Sequence, residues 1–391
     1  MNEIVLHLSH DDKFIDLMID EFNQVSSFKN KYVVYTNEVQ SSLKFIKHPD
    51  VFHAKKGSDE FNDLIGDISG YKAIFVHYLS SYLSEFVLSL PKNTPLFMIF
   101  WGAEIFTLKE FYNDNLLTET KDLINKITPK NKFKFAFNPK NLVLEIKRMK
   151  ARRNDEIKRK KALKRVNYFC HWIPEDFNFI RSKISFNSKL LDFIYGPLEV
   201  VIGEHYDSQF SEGDGNVLLG NSGNETNNHL ESLSALKNAG CKDRLIYTPL
   251  SYSALSRLYI DIVVRKGKEL FGDSFVPLFE FIPKEEYHKI LNSCDFVVMN
   301  HLRSQGGAVN RFALYQGKKL FMNNSSNMCQ FYKKNGLSIF SLTDCNSNYH
   351  SAWAKLNIEE KKQNRAQLIK IFGNKAVKKK YENIALIIEN L

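Results

Sequence analysis

Two α/β domains, each a parallel sheet covered by helices, are predicted by three features of this sequence. Strand-length apolar runs alternate with helix-period segments through both halves of the chain. The 391 residues exceed what one hydrophobic core organises, so two domains of roughly 150 to 200 residues are expected. Two stretches, 217–236 and 295–316, each read as strand, polar loop and helix in one run.

In the first domain, 1–203, strands are expected at 3–8, 32–36, 73–76 and 96–101, with helices at 13–22, 58–68 and 82–90 between them. A helix at 138–165 carries an imperfect apolar stripe of Leu142, Ile146, Met149, Ile157 and Leu163, expected to pack on the domain with its charges outward. Strands at 166–170 and 190–195 flank a helix after Pro174. The polar, Gly- and acid-rich stretch 204–216 reads as a linker. The second domain, 217–372, continues with strands at 244–248, 275–281, 295–300 and 319–322, helices at 254–270, 284–291 and 307–316, and a last helix at 373–391.

Composition narrows the class. A 43% hydrophobic share with 31 Phe and 17 Tyr suffices for two cores. The apolar runs fall far short of the ~20 residues of a membrane span. Asp11, Asp12, Asp16, Asp20 and Glu21 interrupt any apolar leader, so a cytoplasmic protein is expected. Five scattered cysteines without a CxxC pair disfavour a disulfide framework or a zinc site. The formal charge of +10 is concentrated: residues 147–165 hold eleven Lys or Arg against Asp155 and Glu156, a local +9. That run has three readings: a solvated face, an anionic-membrane patch, or a nucleic-acid patch, the last weakened by its lack of aromatics for stacking.

Two loops suggest phosphate chemistry. After the strand at 217–219, Gly220, Asn221, Ser222 and Gly223 form a turn, with Thr226 expected to cap the following helix. In His301–Gly307 the glycines Gly306 and Gly307 open a helix, and Arg303 can bind a phosphate bidentately; no Asp or Glu occurs from 301 to 322. A diphosphate fits both, though either loop also reads as an ordinary βα turn. No acidic pair stands at a strand end, since Glu212 and Asp214 lie in the linker, so no metal requirement is expected. Ligands of open parallel sheets sit at the C-terminal strand ends. That rule selects His7, Asp11, His77, Trp101, Gly102 and Glu104, all read as lying at or just beyond strand ends. Glu104 is a candidate general base, with His77 and Asp11 as further catalytic candidates and His7, Trp101 and Gly102 as candidate ligand contacts. Each also has a structural reading: helix-start carboxylate, satisfied histidine, helix cap or core tryptophan. Tyr252, in TPLSY, is placed to donate to a diphosphate.

The segments FWGAEIF at 100–106, GNSGNETNNH at 220–229 and RSQGGAVNRFALYQGKKLF at 303–321 resemble motifs of glycosyltransferase family 56, the bacterial transferases of 4-acetamido-4,6-dideoxygalactose (N-acetylfucosamine) to a lipid-linked disaccharide. The resemblance implies a GT-B fold, with the two parallel sheets facing across a cleft. It implies a TDP- or UDP-sugar donor, and a polyprenyl-diphosphate-linked glycan as acceptor at the inner membrane. Asn227, His229, Arg303, Gln305, Gly306 and Gly317 fall on matching positions, and His7, His77 and Pro197 do so more weakly. FEFIPKEEYHKILNSCDFVVMN resembles the strand, helix and strand before the GT-B donor loop. The implied donor set adds Phe281, Ser304 and Asn310. For such an acceptor, Arg152, Arg153, Lys158, Arg159, Lys160 and Lys161 would meet the anionic leaflet, and no nucleic acid is expected. The alternative class is a non-enzymatic binder of anionic membrane or nucleic acid on the same double frame.

Overall fold

The structure, a computed structural model, describes residues 3–127, 139–251, 253, 256–342 and 352–391. They form two compact units: 1–108, 143–197 and 372–391 in the first, 109–142 and 198–371 in the second. The division differs from the expected boundaries. Residues 109–142 and 198–203 join the second unit, and the last helix, Asn374–Glu389, belongs to the first. That helix buries Val377, Tyr381, Ile384 and Ile388, and the Tyr381 hydroxyl donates to the carbonyls of Ile194 and Tyr195. Its apolar stripe needs the first core, which sequence order does not reveal.

The first unit holds seven parallel strands, β1 (Ile4–His10), β2 (Lys29–Thr36), β3 (Val51–Lys55), β4 (Tyr71–His77), β5 (Leu96–Ile99), β6 (Tyr168–Cys170) and β7 (Lys189–Leu191), in the order β3-β2-β1-β4-β5-β6-β7. Central strands are buried on both faces, which is why they read as continuous apolar runs. The edge strand β3, with its exposed Phe52, has no such run and was not expected. A stacked aromatic row crosses the sheet: His7 on Phe75 at 4.5 Å, Phe75 on Phe97 at 4.6 Å, Phe97 on Tyr168 at 4.4 Å, each pair in register on neighbouring strands. The connection from β1 runs to β2 on one side and the chain returns to β4 on the other, so the order reverses between β1 and β4.

The second unit has five parallel strands, β8 (Asn216–Leu219), β9 (Ile246–Pro249), β10 (Phe275–Leu278), β11 (Cys294–Met299) and β12 (Lys319–Met322), in the order β10-β9-β8-β11-β12. Here the reversal lies between β8 and β11. Such switch points leave a crevice beyond the strand ends where ligands bind. The loops leaving β8 and β11 are the two that the sequence singles out.

Two local expectations change. Thr226 does not cap a helix: the Asn224 side chain accepts from the Thr226 N–H at 3.1 Å, winding 225–227 into a 3-10 turn, and the helix His229–Asn238 starts after Asn228 at φ +51°. β10 ends at Leu278, three residues early, which leaves Phe281 in a loop and 88% exposed.

Candidate functional site

In the second unit one amide organises the loop after β8. Asn227 Oδ1 accepts from the Asn221 N–H at 2.9 Å and from His301 Nε2 at 2.8 Å, while its Nδ2 donates to Ser222 Oγ at 3.0 Å and to the Asn224 carbonyl at 2.9 Å. Every hydrogen-bonding position of the amide is used. The carbonyl of Asn224 can only accept, so the amide orientation is fixed and His301 Nε2 must carry the proton. Burial holds both His301 and His229 below the ordinary histidine range, His229 at about 3, so both rings are neutral. Gly220 turns the chain at φ +71°; a Cβ there would come within 2.7 Å of Asn227 Oδ1 and 3.2 Å of His229 Nε2. His229 Nδ1 is bound at 3.0 Å to the Tyr259 hydroxyl.

The loop after β11 lies against this one. Thr226 Oγ1 is 2.7 Å from Asn224 Oδ1 and 2.9 Å from Gln305 Oε1, and accepts from Arg303 Nε at 3.3 Å. Gly306, at φ +71°, caps the helix Gly307–Tyr315, and a Cβ there would meet Asn221 at 3.5 Å. Asn221, Ser222, Arg303, Ser304, Gln305, Gly306 and Gly307 are therefore brought together. Five buried polar atoms of these loops, Asn221 Oδ1, Glu225 Oε2, His301 Nδ1, Ser304 Oγ and Gln305 Nε2, have no protein partner. Unsatisfied buried groups are rare in folded proteins, and here they cluster at a switch point beside an arginine and a helix start. Asn310 lies deeper in that helix, its Nδ2 3.2 Å from Met328 Sδ. Gly223 is buried within the loop. Tyr252 lies outside the described residues. Sequence reasoning passed over His301 and Glu225. Glu225 is buried, accepts from the Tyr112 hydroxyl at 2.7 Å, and has its carboxyl pushed up by burial against the pull of Tyr112 and Arg303.

In the first unit the strand ends hold a directed chain of hydrogen bonds. Trp101 Nε1 can only donate, and gives its proton to the Tyr195 hydroxyl. Tyr195 donates to His77 Nδ1 at 3.0 Å, His77 Nε2 to His7 Nδ1 at 3.4 Å, and His7 Nε2 to Asn30 Oδ1 at 3.1 Å. Both nitrogens of both histidines are committed, both rings are buried, and burial holds them neutral, His7 at about 3. His7 therefore sits in mid-strand and not at a strand end, and His77 orients Tyr195 and does not exchange protons with a ligand. Asp11 is likewise an anchor: its carboxylate accepts the N–H groups of Lys44, Phe45 and Ile46 at 2.6 to 3.1 Å, pinning that loop.

Glu104 opens the one-turn helix Ala103–Phe106, after Gly102 at φ +108°. Its Oε1 accepts the Trp101 N–H at 2.8 Å, while Oε2 is buried and without a partner. Burial pushes the carboxyl up to about 7, against the pull of the Trp101, Glu104 and Gly102 N–H groups and of Arg159. His10, which the sequence reading missed, ends β1 with its ring 4.9 Å from Trp101 and 5.5 Å from Tyr78, and Nδ1 has no partner. Burial lowers its pKa, offset by Asp12 and Asp11. The LSHDD run advertised acids; only the β1–β4 reversal points to the histidine.

The model of the family described as 4-alpha-L-fucosyltransferase, glycosyl transferase group 56, matches residues 145–366. The chain belongs to glycosyltransferase family 56. Solved structures similar to the transferase include a UDP-forming α,α-trehalose-phosphate synthase from Burkholderia xenovorans, at 10% identity and TM-score 0.62, covering 100% of this chain and 99% of that one. Sucrose-phosphate synthase from Thermosynechococcus elongatus gives 11% identity and TM-score 0.61, covering 99% of each. At such identities the likeness carries the fold, which is GT-B, as the sequence implied. The family match takes in the loops after β8 and β11 but not Trp101–Glu104.

The basic run of the transferase lies in the helix Pro139–Leu163. Its C-terminal part is tied to the first unit: Lys158 bonds Glu85 on the helix Ser81–Ser89, Arg159 pairs with Asp155 and donates to the Glu104 carbonyl at 2.8 Å, and Ala162 and Leu163 are buried. Arg152, Arg153 and Lys161 are exposed. The apolar stripe packs inward only at Leu163; Ile146, Met149 and Ile157 are 42%, 68% and 41% exposed, and the side chain of Leu142 lies outside those described. Among the described residues no helix is long and apolar enough to cross a membrane, and no three His, Cys, Asp or Glu side chains stand close enough to hold a metal ion.

Proposed function

We propose that this transferase moves a deoxyamino sugar such as N-acetylfucosamine from a TDP- or UDP-sugar to a polyprenyl-diphosphate-linked oligosaccharide of a bacterial surface polysaccharide, without a metal ion, as a cytoplasmic enzyme held peripherally at the inner membrane. The observation that carries the donor half is the pair of unpartnered groups able to donate, Ser304 Oγ and Gln305 Nε2, beside Arg303 and the helix start at Gly307. A diphosphate would take protons from Ser304, Gln305 and Arg303 and meet the positive end of the helix dipole. In transfer, the acceptor hydroxyl oxygen bonds to the anomeric carbon as the bond from that carbon to the diphosphate oxygen breaks. The hydroxyl proton passes to Glu104, and the nucleoside diphosphate leaves with its charge held by those donors.

His10 offers a second reading of the base, because its Nδ1 is unpartnered at the β1 end while the carboxylate of Glu104 already serves Trp101. Thermal-shift measurements with TDP, UDP and GDP test the donor assignment. TDP or UDP at millimolar concentration should raise the melting temperature. No response to any of them would overturn it. Activity that persists in EDTA is expected; a strict Mg²⁺ requirement would refute the metal-free mechanism.

A further inference from the structure

The outward face of the basic helix is built differently from a solvated one. At 3.6 residues per turn, Ile146, Met149, Arg153 and Ile157 fall within about a quarter of its circumference. The side turned to the protein is marked by Arg159, Ala162 and Leu163, whose directions lie about 120°, about 180° and about 80° from the middle of that arc. Lys150, Arg153, Lys161 and Lys164 are exposed around the arc and Lys160 within it is half-buried; Asp155, paired with Arg159, lies on the far side, and the half-buried Glu156 falls at the arc's edge beside Met149. Three large apolar side chains exposed together on one helix, rimmed by long basic side chains, are the pattern of a helix lying in a membrane interface. There the apolar groups enter the acyl boundary and Lys and Arg reach back to the headgroups.

We propose that the helix Pro139–Leu163 docks this transferase on an anionic lipid surface by inserting Ile146, Met149 and Ile157, with Lys150, Arg153, Lys161 and Lys164 contacting the headgroups. The inference rests on the inner-leaflet reading above and deepens it, since charge attraction alone would leave the protein on the surface and fully released by salt. The complementarity selects lipid. A nucleic-acid strand would want aromatic platforms, and none lies on this face from 146 to 165.

The test uses the full chain and vesicles of phosphatidylcholine with or without about one-third phosphatidylglycerol, a composition rich enough in anionic lipid to draw basic residues. In Met149→Trp the new indole should shift to the blue and be quenched by brominated acyl chains in the anionic vesicles only, after subtraction of the native tryptophans. The triple variant Ile146→Ser, Met149→Ser, Ile157→Ser should bind about tenfold more weakly, as should the fourfold Gln variant of Lys150, Arg153, Lys161 and Lys164. Neither set includes Arg159, which supports the Glu104 turn, so melting temperature and nucleotide response should stay at wild-type values. Equal binding by the triple variant with no quenching would overturn insertion and leave charge docking standing. No sedimentation of wild type with any vesicle would overturn both, while the nucleotide response still judges the transferase reading. Self-association in solution that the triple variant abolishes would assign the face to a second copy and refute the lipid.

Discussion

The backbone N–H of Trp101 donates to Glu104 Oε1 at 2.8 Å and leaves Oε2 buried and unpaired, so one carboxylate both shapes its turn and keeps one oxygen free of protein partners. With its pKa near 7, this group is half ionised at neutral pH. A base in that state gives kcat/KM that rises with pH and levels off above about 7. Stability runs the other way. The folded pKa is raised above the unfolded one, so the stabilising protonated form is fully present below about 4.5 and is lost as pH rises through about 7, at a cost of about 3 kcal/mol. Glu104→Gln should abolish that pH dependence of the melting temperature and lower kcat by about 10² to 10⁴. Unchanged turnover in the folded variant would remove Glu104 from the base role.

His10 is distinguished from Glu104 by its own variant. Its ring packs on Trp101 and Tyr78 near Asp12, and burial keeps it neutral at pH 7. With Glu104 as base, His10→Asn should raise the acceptor KM several-fold and leave the pH limb near 7 in place. A loss of about 10² or more in kcat, with Glu104→Gln nearly silent, would transfer the base role to His10.

What was legible in the sequence follows from what periodicity encodes. The central strands announced themselves because burial on both faces leaves continuous apolar runs, and the loops after β8 and β11 because glycines mark the turns at Gly220 and Gly306. His7 was misplaced because an aromatic cross-strand row reads like any apolar run, and Phe75, on which it stacks, is distant in sequence. His10 and Glu225 were missed for the same reason. Their environments are made by Tyr78 and Trp101 in one case and Tyr112 in the other, contacts that only the folded chain creates.

The directed chain from Trp101 to Asn30 predicts an outcome for Tyr195→Phe. That change leaves Trp101 Nε1 without an acceptor and His77 Nδ1 without a donor, two groups in or near the core. Each unpaired group costs about 1 to 3 kcal/mol, so the melt should show a loss of about 2 to 6 kcal/mol. The acceptor KM should rise as Trp101 loosens, with nucleotide affinity unchanged. A neutral effect on the melt would show that the chain does not hold this end of the sheet.

Arg303 approaches Thr226, the residue that joins the loops after β8 and β11. Arg303→Ala should cost about 1.5 to 3 kcal/mol of nucleotide affinity, the value of a charge-assisted contact. Isothermal titration with TDP and UDP reads it. An unchanged affinity would place the diphosphate elsewhere.

Gly220→Ala tests whether the loop or only the arginine makes the donor site. At φ +71° an alanine is strained by about 1 to 2 kcal/mol, and its Cβ would meet Asn227 Oδ1 at 2.7 Å. Asn227 cannot yield without releasing bonds to Asn221, His301, Ser222 and Asn224 together, because all four positions of its amide are occupied. The strain must therefore be relieved by shifting Asn221, one of the loop residues whose buried polar atom lacks a protein partner. Nucleotide affinity should fall about tenfold or more, in excess of the loss in stability, and Asn227→Ala should produce the same phenotype without any steric insertion. The double variant should be far less than additive, since both changes dismantle one network. Additive losses would mean that Gly220 and Asn227 act separately, and that the loop after β8 is an ordinary turn next to a site made by Arg303 alone.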